Sequence, residues 1–300
     1  MTELLRVSQL SKIYGDNKVV DSMTFELVEK TSTALIGPNG AGKTTALSMM
    51  AGLVTPTEGT VLLKEEENKD SRASIGFLPQ YPKFFPWLTA IEFTEMAARL
   101  SGVDSRIVQS EAQKTLEFVG LGDAMKKRIG TFSGGMKQRL GLAQAVVHKP
   151  KLLLLDEPVS ALDPVGRRQV MNLLKELQQQ TTILYSTHIL NDAEEMTDQL
   201  LFLRKGELVE NGSLSSIKEK YANPRILIEF ESVEEAARFL SISTWTLASK
   251  NNFVSIDPSH QQIGMTEVLA ALHADSFRIR KVEWQTANLE EIFMKVVMSS

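Results

Sequence analysis

The feature that most restricts this chain is Gly37-Pro38-Asn39-Gly40-Ala41-Gly42-Lys43-Thr44-Thr45, which fits the pattern G-x-x-x-x-G-K-[ST]. Its glycines let the backbone curl until the N–H groups converge on an anion. The apolar run Thr33-Ala34-Leu35-Ile36 precedes it, and a segment from Lys43 to Ala51 that suits a helix follows. Strand, glycine loop and helix N-terminus in that order make a phosphate cradle, because the positive end of the helix dipole adds to the loop amides. In such a cradle Lys43 is expected to reach the β- and γ-phosphates and the Thr44 hydroxyl to bind Mg²⁺.

A second apolar run, Lys151 to Leu155, ends in Asp156-Glu157-Pro158, and a third, Thr182 to Tyr185, leads into Ser186-Thr187-His188. Such runs read as buried strands of a parallel sheet covered by helices. Helix-compatible stretches at Val165–Gln179 and Ile189–Thr197 complete the alternation of an α/β fold. Asp156 then falls where a buried strand delivers a carboxylate to a Mg²⁺ shell. Glu157 is the candidate for polarising an attacking water. Between Pro86 and Ile129 the pattern is helical only, with Ala90–Ser101 and Ser105–Val119 punctuated by glycines, which reads as an insertion over about 86–130.

A first domain is expected over residues 1–221 and a smaller α+β domain over 222–300. In the second, strands are expected at Ile226–Phe230, Trp245–Ala248, Phe253–Ile256 and Phe277–Val282, and helices at Val233–Leu240, Ile263–Ala274 and Leu289–Val297. That order suits a split βαβ sandwich. Glu65-Glu66-Glu67 reads as a solvated turn. A net charge of −4 offers no electrostatic footprint for nucleic acid, and the absence of cysteine excludes disulfides and thiolate chemistry. The opening MTELLRVSQLSKIYG has no uninterrupted apolar segment and no cleavage signature, so no signal peptide is expected. The longest strongly apolar run, Leu152 to Leu155, is far short of the ~20 residues of a membrane helix. Any membrane-spanning part must then come from another polypeptide.

Phe132-Ser133-Gly134-Gly135-Met136-Lys137-Gln138-Arg139 is an N-cap serine, two glycines and a helix start, hence a second anion-binding helix end. With this string the sequence resembles the ATP-binding cassette (ABC) family, an ABC-type subclass of the P-loop NTPase fold. Ser133, Gly134, Gly135 and Gln138 look like its signature motif, which in the family completes the ATP site of the opposite subunit in a head-to-tail dimer. Tyr14 resembles the aromatic residue that stacks on adenine, and Gln80 the glutamine that touches Mg²⁺ and the attacking water. Ser160 to Pro164 looks like the loop that pairs the subunits, with Asp163 equally suited to cap a helix before Pro164. His188 resembles the histidine that contacts the γ-phosphate. Phe132 stands where leucine is more usual, and Val159 and Ala161 where threonine and glycine often occur. None of these changes removes a phosphate donor, a metal ligand or the acid.

The resemblance covers roughly residues 1–220 and implies an ATPase subunit that uses ATP and Mg²⁺. Its implied partners are a second ATPase subunit and an integral membrane permease, which holds it peripherally on the cytoplasmic face of the membrane. Asn288-Leu289-Glu290-Glu291-Ile292-Phe293 resembles the C-terminal ending common in ATPases of bacterial drug, antibiotic and sodium exporters. An importer ATPase with a regulatory C-terminal domain and a soluble, non-transport ABC ATPase are the alternatives. The aromatic stretch Tyr81 to Trp87, directly after Gln80, is expected to serve in part as a docking groove for a permease helix.

Overall fold

The computed structural model describes residues 2–64, 71–160, 162–221, 224–258, 263–285 and 287–298. The expected acidic turn Glu65–Glu67, and Ala161 of the pairing loop, lie outside them. The chain divides into two compact units, one formed by residues up to Leu214 together with the segment from Phe293, the other by Ser215–Ile292. Residues 222–300, expected as one accessory domain, are thus split, because the last segment packs with the first unit.

In the first unit β1 (Glu3–Tyr14) and β2 (Asn17–Val28) form an antiparallel pair, and β3 (Ser32–Ile36) enters the second sheet. The phosphate loop leads into α1 (Lys43–Met50), and β4 (Glu58–Leu63) returns to pair with β1, closing the antiparallel sheet in the order β2-β1-β4. β5 (Ile75–Leu78) is followed by α2 (Ala90–Leu100), α3 (Val108–Phe118) and α4 (Gly134–Val146). Then come β6 (Leu152–Asp156), α5 (Pro164–Gln178), β7 (Thr182–Thr187), α6 (Leu190–Met196), β8 (Gln199–Arg204) and β9 (Glu207–Ser213). The second sheet runs β5-β6-β7-β3-β8-β9, parallel except for β9, which pairs antiparallel to β8.

Every residue of β3, β6 and β7 is buried, as strands covered on both faces require. Leu152 to Leu155 are fully buried, and each such leucine stabilises the fold by ~1.5–3 kcal/mol. The main core lies between the two sheets and α1, where Leu5, Leu10, Met23 and Leu27 meet Leu47, Leu154 and Leu184. The helical insertion is stapled at its base by an isolated bridge between Thr89 and Arg128. Thr89 also caps α2 through a capping box with Glu92, satisfying two orphan amides at once. α3 begins at Val108 and not at the expected Ser105, because the Asp104 carboxylate takes the Arg106 N–H at 3.0 Å and turns the backbone first.

The second unit holds α7 (Leu214–Lys220) from Ser215, then β10 (Arg225–Phe230), α8 (Val233–Ile242), β11 (Leu247–Lys250) and β12 (Phe253–Ile256). α9 (Met265–Ala274), β13 (Ile279–Gln285) and α10 (Leu289–Phe293) follow. The sheet order β11-β12-β10-β13, all antiparallel, is that of a split βαβ sandwich. Alternate residues of β10, Ile226, Ile228 and Phe230, face a core shared with Phe239 of α8 and Val268 and Leu272 of α9. The helix expected over Leu289–Val297 loses its α-helical spacing at Phe293 and ends in a wider π turn, Met294–Met298. Within the first unit, the Phe293 ring lies 6.4 Å from that of Phe202 on β8, and Val297 is buried.

Candidate active site

The carboxyl ends of β3, β6 and β7 meet at one edge of the parallel sheet, where open α/β sheets gather ligands. There the loop from Asn39 to Thr45, Gln80, Asp156 and Glu157 line a cavity of ≈ 400 Å³, with Val19 as its apolar wall. Two glycines are dictated by position. Gly42 has φ +101°, and a Cβ on it would sit 2.5 Å from the Val19 carbonyl oxygen. A Cβ on Gly37 would meet the Leu203 carbonyl at 2.4 Å. Gly42 also starts α1 without any side-chain cap, so the first amides of that helix are available to an anion.

Lys43 is buried, and its Nζ donates to the carbonyls of Gly37 at 2.8 Å and Pro38 at 3.2 Å, with Glu157 Oε1 at 3.9 Å. Burial pulls its pKa below the ordinary lysine value, and the attraction of Glu157 and Asp156 offsets only part of that. A phosphate in the loop would add counter-charge to this ammonium, whose carboxylate partner lies at the long distance of 3.9 Å.

The acidic pair is held from several sides. Thr44 Oγ1 donates to Asp156 Oδ2 at 2.7 Å, and Ser186 Oγ donates to Asp156 Oδ1 at 2.6 Å. Glu157 adopts a left-handed backbone, φ +51°, a region that costs an L residue ~1–2 kcal/mol. Its carboxylate Oε2 lies 2.8 Å from Nδ1 of His188, which donates as N–H. Next to that histidine, the Thr187 hydroxyl accepts the Ile189 N–H at 2.9 Å and fixes the turn after β7. The donor set at Thr44 and Asp156 is hard oxygen, and Gln80 lines the same cavity. The Thr44–Asp156 oxygen pair suits Mg²⁺, which uses one or two protein oxygens and takes the rest from water and phosphate.

The other expected site residues lie apart from this cavity. Ser133, Gly134 and Gly135 line a separate one of ≈ 450 Å³ with Arg139, Leu162 and Asp163. Ser133 caps α4 by accepting the Met136 N–H, and Asp163 caps α5 by accepting the Gly166 N–H. Gln138 was expected beside a nucleotide, but it is buried and its amide donates to the Pro158 carbonyl at 2.8 Å, tying α4 to the loop after the acidic pair. Tyr14 is half-exposed at the end of β1, its ring 5.0 Å from the Lys12 ammonium. The aromatic stretch after Gln80 splits. Phe84 packs edge-on against buried Phe93 of α2, whereas Tyr81, Phe85 and Trp87 are exposed. Ser186 was not singled out in the sequence as a site residue, although a serine directly after the apolar run of β7 is a signal for it.

Two family models match the chain: one described as ABC transporter over residues 20–160, the other as "ATP-binding protein DrrA1-3-like, C-terminal domain" over 212–297. An uncharacterized ABC transporter ATP-binding protein, YxlF of Bacillus subtilis (strain 168), is 42% identical across 98% of this chain and 99% of its own length. The bacitracin transport ATP-binding protein BcrA of Enterococcus faecalis is 32% identical across 99% of this chain and 97% of its own. The dimeric post-hydrolysis structure of the ATP-binding cassette MJ0796 with ADP and Pi superposes with a TM-score of 0.63 at 25% identity, covering 70% of this chain and 99% of that one.

Proposed function

The chain belongs to the ABC transporter family, as an ATP-binding and hydrolysing subunit that energises a separate membrane permease, and on that premise we propose how its residues divide the work. Gly37 to Thr45 bind the ATP phosphates, with Lys43 leaving its loop carbonyls for the β- and γ-phosphates. Thr44, Asp156 and Gln80 hold Mg²⁺, which when bound screens charge on the phosphates. Glu157 orients and polarises the attacking water, and His188 holds the Glu157 carboxylate through Nδ1–H. With that proton committed, a bond from Nε2 to the γ-phosphate requires the doubly protonated ring. Tyr14 receives the adenine. The observation that carries this reading is the close grouping of the Thr44–Asp156 and Glu157–His188 pairs at the rim of one phosphate loop.

Ser133, Gly134 and Gly135 are proposed to complete the site of a second copy, head to tail, with Asp163 at the seam. A dimer is supported by the openness of that helix end and by the dimeric cassette that this fold resembles. Closure of two copies on ATP then supplies the differential affinity that moves a permease between states. Tyr81, Phe85 and Trp87 form the permease-facing part of the aromatic stretch, while Phe84 belongs to the insertion's packing. Among the described residues no helix is long and apolar enough to cross a membrane. The proposed place of the subunit is peripheral, on the cytoplasmic face, held there by its permease. Export of an antibiotic or similar small molecule is favoured by the DrrA-like C-terminal match and the bacitracin transport relative.

The test is to tag the chain in its native cell, solubilise membranes gently and identify what co-purifies. A polytopic membrane protein, retained by the parent and lost with Phe85→Ala/Trp87→Ala, supports the assignment. Soluble partners alone would move the function to the non-transport class.

A further inference from the structure

We propose that Ser186 is a positioning residue for hydrolysis, its single hydroxyl locking the Asp156 carboxylate and the Glu157 backbone into one unit. The inference rests on the roles just given to those two acids. Ser186 is the penultimate residue of β7 and the register partner of Asp156, the last residue of β6. It is fully buried. Its Oγ accepts the Glu157 N–H at 2.9 Å, so its own proton must go to Asp156 Oδ1, 2.6 Å away. A hydroxyl has one proton and can satisfy both neighbours only in this orientation.

The bond to Glu157 answers a backbone need. β6 ends at Asp156 and the next residue turns left-handed, so the Glu157 amide leaves the ladder just where it is buried. Buried amides require a partner, and the serine hydroxyl takes the place of a strand carbonyl. Two residues later the same strand end presents His188 to the Glu157 carboxylate. β7 and the residue after it therefore grip Glu157 at both ends, by the amide through Ser186 and by the carboxylate through His188. Asp156 is likewise held at both oxygens, by Thr44 and Ser186. Loss of the hydroxyl would free the pivot of Glu157 and one arm of Asp156, while leaving every loop residue that holds phosphate untouched. The signature is a fall in rate without a fall in ATP affinity.

Threonine and valine have the same shape and differ by that hydroxyl, so the full chain is compared as Ser186→Thr, Ser186→Val and Ser186→Ala. The measurements are kcat and KM for ATP hydrolysis, affinity for a fluorescent ATP analogue across a Mg²⁺ titration, and Tm. Val and Ala should lower kcat by about 10- to 100-fold. Their affinity for the analogue at saturating Mg²⁺ should stay within about twofold, with more Mg²⁺ needed for half-maximal binding. Thr should restore both kcat and the Mg²⁺ requirement. Wild-type turnover in Val or Ala overturns the proposal, and so does a Thr variant as slow as Val, since shape and not the hydroxyl would then matter. Glu157→Gln is run beside them. If it hydrolyses ATP at the parental rate, the reading of the acid fails, an outcome distinct from anything the Ser186 series reports.

Discussion

Two helix N-termini of the first unit, α1 and α4, are built differently. α1 starts from Gly42 in a left-handed turn with no side-chain cap, and buried Lys43 and the Asp156–Glu157 pair stand around it. α4 starts from an exposed serine whose side chain caps the Met136 amide, and a Cβ on Gly134 would meet nothing within 4 Å. The two ends share the same dipole. The first is supplied by its own chain with a buried lysine, an acidic pair and a magnesium-suited oxygen pair, whereas the second has Arg139 and Asp163 in its cavity. A helix end alone is thus half of a site, and the open one is proposed to await a surface that this chain cannot give itself.

Four substitutions test that contrast, from the largest effect to the smallest. Glu157→Gln should cut ATP turnover by about 10²–10⁴-fold while ATP binding persists and an ATP-bound dimer accumulates on size exclusion. Gly135→Asp puts a carboxylate at the open end. Single-chain ATP affinity should hold while hydrolysis falls by about 100-fold, and a parallel loss of affinity would mean both helix ends serve one chain. Gly42→Ala forces a Cβ into the Val19 carbonyl at positive φ. It should cost ~2 kcal/mol in urea unfolding, together with ATP affinity, whereas parental stability would show that the loop relaxes. Ser133→Ala removes a cap at an exposed end and should cost only ~1 kcal/mol, a fall of ~2–4 °C in Tm.

The site was legible in the sequence wherever chemistry depends on neighbours along the chain. The loop Gly37 to Thr45, the acid pair closing a leucine run and Asp163 before Pro164 each announce themselves within a few residues, because loops, strand ends and caps are local geometry. The alternation in the second unit was readable for the same reason, though β11 begins at Leu247, two positions past the expected Trp245, whose ring instead packs on Phe239. Phe84 and Phe85 are adjacent and of one type, yet one packs into the insertion and the other faces outward. Which does which depends on where α2 passes.

By itself the sequence determined an α/β nucleotide-binding unit, a small α+β unit and the identity of the residues around the phosphate loop. Those follow from periodicity and from short motifs whose geometry is nearly context-free. Only the tertiary structure decided that Gln138 is used on the Pro158 carbonyl, that the segment from Phe293 packs with the first unit, and that Ser186 stands between two acids 29 and 30 residues away in sequence. Each depends on strand register or packing between distant segments, and a hydrogen bond reaching across neighbouring strands leaves no periodic trace along the chain.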